Sequence, residues 1–195
     1  MIEPSQQIAQ WLREDQYRYQ ALLMAEKLQL PQWMLAAGFV RNLVWDKLHE
    51  TAPRPLNDID LIYFDASNLC ASQDREYEEQ LRALAPDYPW SVKNQARMHL
   101  KNNDQAYTSC FDAMSFWPEK ETAIAVTINR TMAENRVVSV ASLPLALQIV
   151  TPFGSQRLFQ LTLTHNPKKS KQLFQHRVNN KHWLQDYPLL QVISE

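Results

Sequence analysis

Ala36-Ala37-Gly38-Phe39-Val40-Arg41-Asn42 and, after a helix-like segment, Asn57-Asp58-Ile59-Asp60-Leu61-Ile62-Tyr63-Phe64-Asp65 carry the reading of this chain. The chain has two glycines, and Gly38 is one of them. It sits where the apolar run from Trp33 to Ala37 gives way to a helical pattern. A residue without a Cβ lets the backbone approach a ligand closely. The helix that begins near Arg41 offers free N–H groups and partial positive charge to the same ligand. Arg41 adds a guanidinium suited to a bidentate phosphate contact.

The second segment reads as a strand from Asp58 to Phe64, rich in β-branched and aromatic residues. Residues two apart on a strand project to the same side, so Asp58 and Asp60 face one way. Two adjacent carboxylates repel unless a cation neutralises them. Mg²⁺, or Mn²⁺ in its place, suits the pair, because it takes oxygen ligands and is commonly shared between protein carboxylates and substrate phosphates. A phosphate-approach turn followed by paired carboxylates points to chemistry on a nucleotide. The alternative is that both aspartates are solvated strand-start residues.

The remainder of the chain sets the frame. With 195 residues, 45% hydrophobic and 21% charged, it is long enough to bury a core and reads as one soluble domain, residues 1–195. No apolar run approaches the roughly 18–20 residues of a membrane span. The N-terminus lacks the pattern of a signal peptide. Cys70 and Cys110 have no partners at metal-ligand spacing, so they read as reduced thiols and the expected location is cytoplasmic. A net charge of −1 gives no global attraction to polyanions.

Periodicity predicts an N-terminal helix over about 5–30, ended by Pro31, and a buried strand over Trp33–Ala37. It predicts a helix over Arg41–His49, a loop at Thr51–Pro55, and a charged helix over Asp74–Ala85. Trp90 to Leu100 alternates as a strand, which places Lys93, Arg97 and His99 on one side as candidate triphosphate ligands or as a solvated face neutralised by Glu78 or Glu79. Further expectations are a short helix over Phe111–Trp117, strands over Thr122–Ile128 and Leu147–Thr151, and helices over Leu158–Leu163 and about 171–186. The stretch from Arg130 to Leu145 suggests a hairpin or an insertion. Lys168, Lys169, Lys171, Arg177 and Lys181 make the C-terminal region basic. They grip an acidic partner such as RNA, or are the solvated side of a helix that packs Leu173, Phe174, Val178 and Trp183. Alternating helices and strands give an α/β or α+β fold, a mixed sheet flanked by helices.

Ala37-Gly38-Phe39-Val40-Arg41-Asn42 followed by Asn57-Asp58-Ile59-Asp60 resembles the head-domain signature of the DNA polymerase beta-type nucleotidyltransferase superfamily. It is especially similar to the tRNA CCA-adding and poly(A) polymerase branch, in which Gly-Gly-x-Val-Arg-Asp precedes Asp-x-Asp. Over most of its length, including Lys93 to His99, Asp112-Ala113-Met114, Trp117-Pro118-Glu119 and Thr151 to Gly154, the chain resembles an uncharacterised bacterial nucleotidyltransferase-like family. The resemblance implies transfer of a nucleoside monophosphate from an NTP to an acceptor that it does not name (a small molecule, a protein or RNA). It implies Asp58 and Asp60 as catalytic metal ligands, and Gly38, Arg41, Asn42, Lys93 and Arg97 as nucleotide-binding residues. Ala37 and Asn42 depart from the Gly and Asp of the signature, and the Trp90–Leu100 segment lacks the third carboxylate that many members carry. Asp65 has the opposite strand parity. The chain is too short for the tRNA-binding body of a CCA-adding enzyme. The rival readings are a nucleotide-binding regulatory module without turnover and an RNA-binding accessory protein.

Overall fold

In the computed structural model, which describes residues 2–129 and 146–193, five strands form a mixed sheet in the order β3-β2-β1-β4-β5. They are β1 (Met34–Ala36), β2 (Ile59–Tyr63), β3 (Trp90–Asn94), β4 (Ala125–Ile128) and β5 (Leu147–Val150). β1 lies in the centre, antiparallel to both β2 and β4; β2 and β3 are parallel. The 130–145 stretch expected as a hairpin or insertion lies outside the described residues.

The sequence expectation of an α/β mixed sheet flanked by helices is met. Alternation divides the sheet into two faces. Ile59, Leu61 and Tyr63 join Leu35, Val92 and Val126 in the larger core, against α1 (Pro4–Glu14), α2 (Gln16–Glu26), α3 (Gly38–Leu48) and α4 (Ala71–Leu84). Ile62, Met34, Ala36 and Ala125 face the other way, onto Cys110 and Met114 of α6 (Cys110–Met114). Asp60 has the parity of Ile62 and emerges on this second, less covered face.

Several predicted elements break, each at an identifiable residue. The N-terminal helix divides because the Asp15 carboxylate accepts the Arg18 N–H at 2.9 Å and caps a new helix. The Trp90–Leu100 strand ends at Asn94, whose side chain accepts the Ala96 N–H at 3.0 Å and starts α5 (Gln95–Asn102). Leu158–Leu163 is a one-turn helix, α7 (Gln156–Phe159), ended by Leu161 at φ 53°. The following Thr162-Leu163-Thr164 is strand β6, paired in parallel with β7 (Gln191–Ile193). The C-terminal helix becomes α8 (Lys171–Asn180) and α9 (Trp183–Asp186), separated by left-handed His182.

The turn from β1 into α3 has an unusual backbone. Ala37 takes φ 54°, ψ −120°, a conformation that favours glycine. Its N–H is held by Ile124 O at 2.8 Å, and its carbonyl accepts from Val40 and Arg41. Ala37→Gly is expected to stabilise the fold by about 1 kcal/mol by relieving this strain. A lower midpoint for the glycine variant in urea unfolding would contradict the strain assigned here.

Candidate active site

Ala37 and Asp60 meet in a cleft of about 520 Å³ on the second face of the sheet. Sheet register explains why: Ala36 is paired with Asp60, so the end of β1 and the start of β2 lie side by side. The cleft is closed opposite by Trp117 and Thr122 and by a basic wall of Lys101, Lys169, Arg177 and Lys181. No side chain caps α3 beside it, so the first amides of that helix are left for an external acceptor.

Asp58 is exposed and Asp60 partly buried. Burial pushes the Asp60 carboxyl up to about 6, and the Asp58 charge adds to the effect. A Ser91 hydrogen bond, Lys93 and Arg41 oppose it without restoring the ordinary value. Ser91 is the β3 neighbour of Asp60. It occupies a position from which a third acidic side chain would reach the pair. Among the described residues no group of three His, Cys, Asp or Glu side chains is arranged to hold a metal ion. Asp65 lies beyond the end of β2, where its carboxylate accepts the Ser67 N–H and Oγ–H. Two neighbouring carboxylates, one of them raised mainly by burial and further by the charge of the other, offer oxygen donors of the kind Mg²⁺ takes together with substrate oxygens and water.

Arg41 is 6% exposed and its guanidinium is enclosed rather than extended into solvent. It lies between the Trp45 and Trp183 rings, 5.0 and 4.8 Å from their centroids. It donates to Thr122 Oγ1 at 2.9 Å and to Asn42 Oδ1 at 2.9 and 3.2 Å. Burial lowers its pKa to about 10, still far above neutrality, so the cation persists behind the cleft. Asn42 is thereby fixed by Arg41. Gly38 is close to both: a Cβ there would meet their side chains at 3.5–3.7 Å, ordinary contact distances.

Lys93 and Arg97 are not brought to the cleft. The predicted shared strand face is corrected by the break at Asn94, which puts Lys93 on β3 and Arg97 on α5. Both turn to α4: Lys93 Nζ is 3.1 Å from Glu78, and Arg97 pairs with buried Asp74. The basic wall comes instead from Lys101 of α5 and from Lys169, Arg177 and Lys181 of the C-terminal region. Phe174, Val178 and Trp183 are buried as the packing reading required, whereas Leu173 is exposed and lines the cleft. Arg177 is fixed by a two-point ion pair with fully buried Glu119, at 2.5 and 3.1 Å. Lys169 is fixed by Asp104 at 2.5 Å. Lys101 and Lys181 have no ion-pair partner among the described residues. The sequence signal for Lys169, Arg177 and Lys181 was the basic C-terminal cluster, whose distance along the chain from Asp60 hid the connection; Lys101 carried no such signal.

A family described as "Nucleotidyltransferase" matches residues 24–192. The chain belongs to this nucleotidyltransferase family. A solved structure described as revealing a CCA-adding enzyme head domain has a TM-score of 0.81 and 28% identity, covering 97% of this chain and 96% of that one. A CCA-adding enzyme in complex with CTP shares the fold at a TM-score of 0.52 and 11% identity; 98% of this chain corresponds to 43% of that protein. No curated protein matches. The nucleotidyltransferase resemblance drawn from Gly38–Asn42 and Asp58–Asp60 is therefore confirmed at the level of family and fold. No helix among the described residues is long and apolar enough to cross a membrane.

A carboxyl whose pKa is raised by folding is protonated more readily in the folded than in the unfolded chain. Its favourable contribution is complete below about 3.8 and is lost as pH rises through about 6. Asp60→Asn removes that loss. The variant is expected to gain stability over the parent above pH 6, by roughly 3 kcal/mol at most, with little gain at pH 4. Unfolding curves at pH 4 and pH 8 check the sign; an equal difference at both would contradict it.

Proposed function

We propose that this nucleotidyltransferase-family protein transfers a nucleoside monophosphate from an NTP to an acceptor hydroxyl or phosphate, releasing pyrophosphate, in a Mg²⁺- or Mn²⁺-dependent reaction. The observation that carries this reading is the convergence of Asp60, the uncapped N-terminus of α3 and four basic side chains on one cleft, with the Asp58 charge acting on Asp60. Asp58 and Asp60 would hold the metal, which when bound would supply charge neutralisation at the transferring phosphoryl group. The Gly38 turn and the first amides of α3 take phosphate oxygens. Lys101 and Lys181 approach the triphosphate as mobile point charges, while Arg177 and Lys169 give fixed ones. The half-buried Trp117 offers a ring face to the base. Arg41 acts behind this surface, holding Asn42 and Thr122 and adding positive potential under Asp60. Catalysis on this arrangement is positioning and electrostatics. A cytoplasmic location belongs to the same reading.

The lack of a third acidic ligand among the described residues favours one rival, a module that binds NTP without turning it over. Pyrophosphate release from each of the four NTPs, with Mg²⁺ or Mn²⁺ and total cell extract as acceptor, separates the two. The parent is expected to release pyrophosphate, and Asp58→Asn/Asp60→Asn to lose at least about a hundredfold of it. Saturable NTP binding with equal, background release from both proteins would assign the chain to the binding module.

Lys101→Ala combined with Lys181→Ala is expected to weaken NTP binding by about tenfold, through lost charge alone, and to flatten its salt dependence. Calorimetric titration of a non-hydrolysable NTP analogue at two salt concentrations checks this. Unchanged affinity would remove both lysines from the site.

A further inference from the structure

Glu119 is 0% exposed and lies outside the lining of the cleft, yet it bears on that lining from behind. Its two carboxylate oxygens accept from Nε and Nη2 of Arg177, at 2.5 and 3.1 Å. A guanidinium carries five N–H donors, and this side-on grip uses one from each of two nitrogens. The edge formed by Nη1 and the second Nη2 hydrogen is left, on a side chain that is 28% exposed and lines the cleft. The carboxylate is itself held in place. Buried Asn166 donates from its side chain to Ser115 O and Trp117 O, at 2.8 Å each, and from its backbone to Pro118 O at 2.9 Å. The loop leading into Glu119 is thereby fastened to the strand side of the cleft wall. The Arg177 and Arg41 guanidiniums both approach the Trp183 ring, at 5.7 and 4.8 Å from its centroid. Burial is the main influence on Arg41; against it the Glu119 charge favours the cation, whereas the Arg177 charge disfavours it.

Electrostatics alone gives no reason for a carboxylate here. A polyphosphate in the cleft is an anion, and a buried negative charge behind the wall repels it. Net stability gives little reason either, because desolvation offsets much of the attraction in a buried pair. What Glu119 supplies is direction. A guanidinium gripped at two points has one orientation, where an ungripped one samples many rotamers. A donor ordered in advance spares the ligand the entropic cost of ordering it. We infer, on the nucleotidyl-transfer reading, that Glu119 is a positioning residue of this site: it touches no substrate and holds Arg177 side-on, so that the remaining edge of the guanidinium meets a polyphosphate oxygen across the cleft from Asp60. Lys101 and Lys181 add charge to the same wall without direction. The Arg177 cation is aimed, and the residue that aims it stands 58 positions away in sequence.

Positioning and electrostatics predict opposite signs for Glu119→Gln, which keeps the shape and removes the charge. The α,β-methylene analogues of the four NTPs are titrated calorimetrically, with Mg²⁺, into the full chain, and the tightest serves as the probe. Glu119→Gln is expected to weaken it by about tenfold, the worth of one hydrogen bond to a charged group. In an Arg177→Ala background the same substitution is expected to cause no further weakening, because the residue it acts through is gone. Arg177→Lys keeps the charge but cannot be gripped at two points, and is expected to lose nearly as much as Arg177→Ala. It changes a partly exposed side chain, so it decides the question by itself if Glu119→Gln does not fold. Equal or tighter binding by Glu119→Gln would overturn the proposal. So would an undiminished loss in the Arg177→Ala background, the mark of a purely structural role, or parent-like affinity in Arg177→Lys. A parent that binds none of the four analogues would overturn the nucleotidyl-transfer reading along with it. Binding that ignores both Glu119 and Arg177 would overturn the positioning alone.

Discussion

The backbone at Ala37 is the constraint on which the face carrying Asp60 depends. β1 is the central strand, and the chain must leave it and reverse into α3 within one residue. The φ 54°, ψ −120° conformation achieves that, and the hydrogen bond from Ala37 N–H to Ile124 O ties the turn to the segment entering β4. A side chain in this region costs on the order of 1–3 kcal/mol. The surrounding sheet pairings and the buried α3 core hold it there. The result is an uncapped helix N-terminus beside Asp60.

Around that turn the charges are arranged in layers. Burial raises the carboxyl of Asp60 in the cleft to about 6, and the nearby Asp58 charge adds to the effect. Arg41 lies behind them between two tryptophans, where its fork is used to fix neighbours. Arg177 is locked by buried Glu119. A second buried acid, Glu121, accepts from the Thr162 and Thr164 hydroxyls at 2.8 and 2.7 Å, joining β6 to the loop that carries Thr122. Such pairs are worth less as sources of net stability than as fixed geometry, because desolvation offsets much of their attraction. Their consequence here is that Arg177 stands in a fixed position across the cleft from Asp60.

The segments whose structure was legible were those where local chemistry and tertiary packing agree. β1, α3 and β2 follow from the Trp33–Ala37 run, the pattern beginning at Gly38, and the β-branched content after Asp58. Misreadings arose where one polar residue ended an element inside a continuous apolar pattern. Asp15 and Asn94 each cap a new helix with a short side-chain hydrogen bond. Leu161 and His182 break the chain with left-handed backbone that neither residue type advertises. The alternation through Trp90–Leu100 fitted a strand equally well until Asn94 turned it.

The sequence by itself determined the family, the paired carboxylates at Asp58 and Asp60, and the turn at Gly38, because these are local motifs whose spacing encodes their geometry. Long-range packing decided which cations line the cleft with Asp60. Lys93 and Arg97 are adjacent in sequence to the site strands yet are drawn to Glu78 and Asp74 of α4. Lys169 and Arg177 lie more than a hundred residues away, yet are brought opposite Asp60 when Phe174 and Val178 bury themselves and Glu119 anchors α8. Local periodicity specifies which way a side chain points along its own element. Long-range packing and ion pairing specify what it meets.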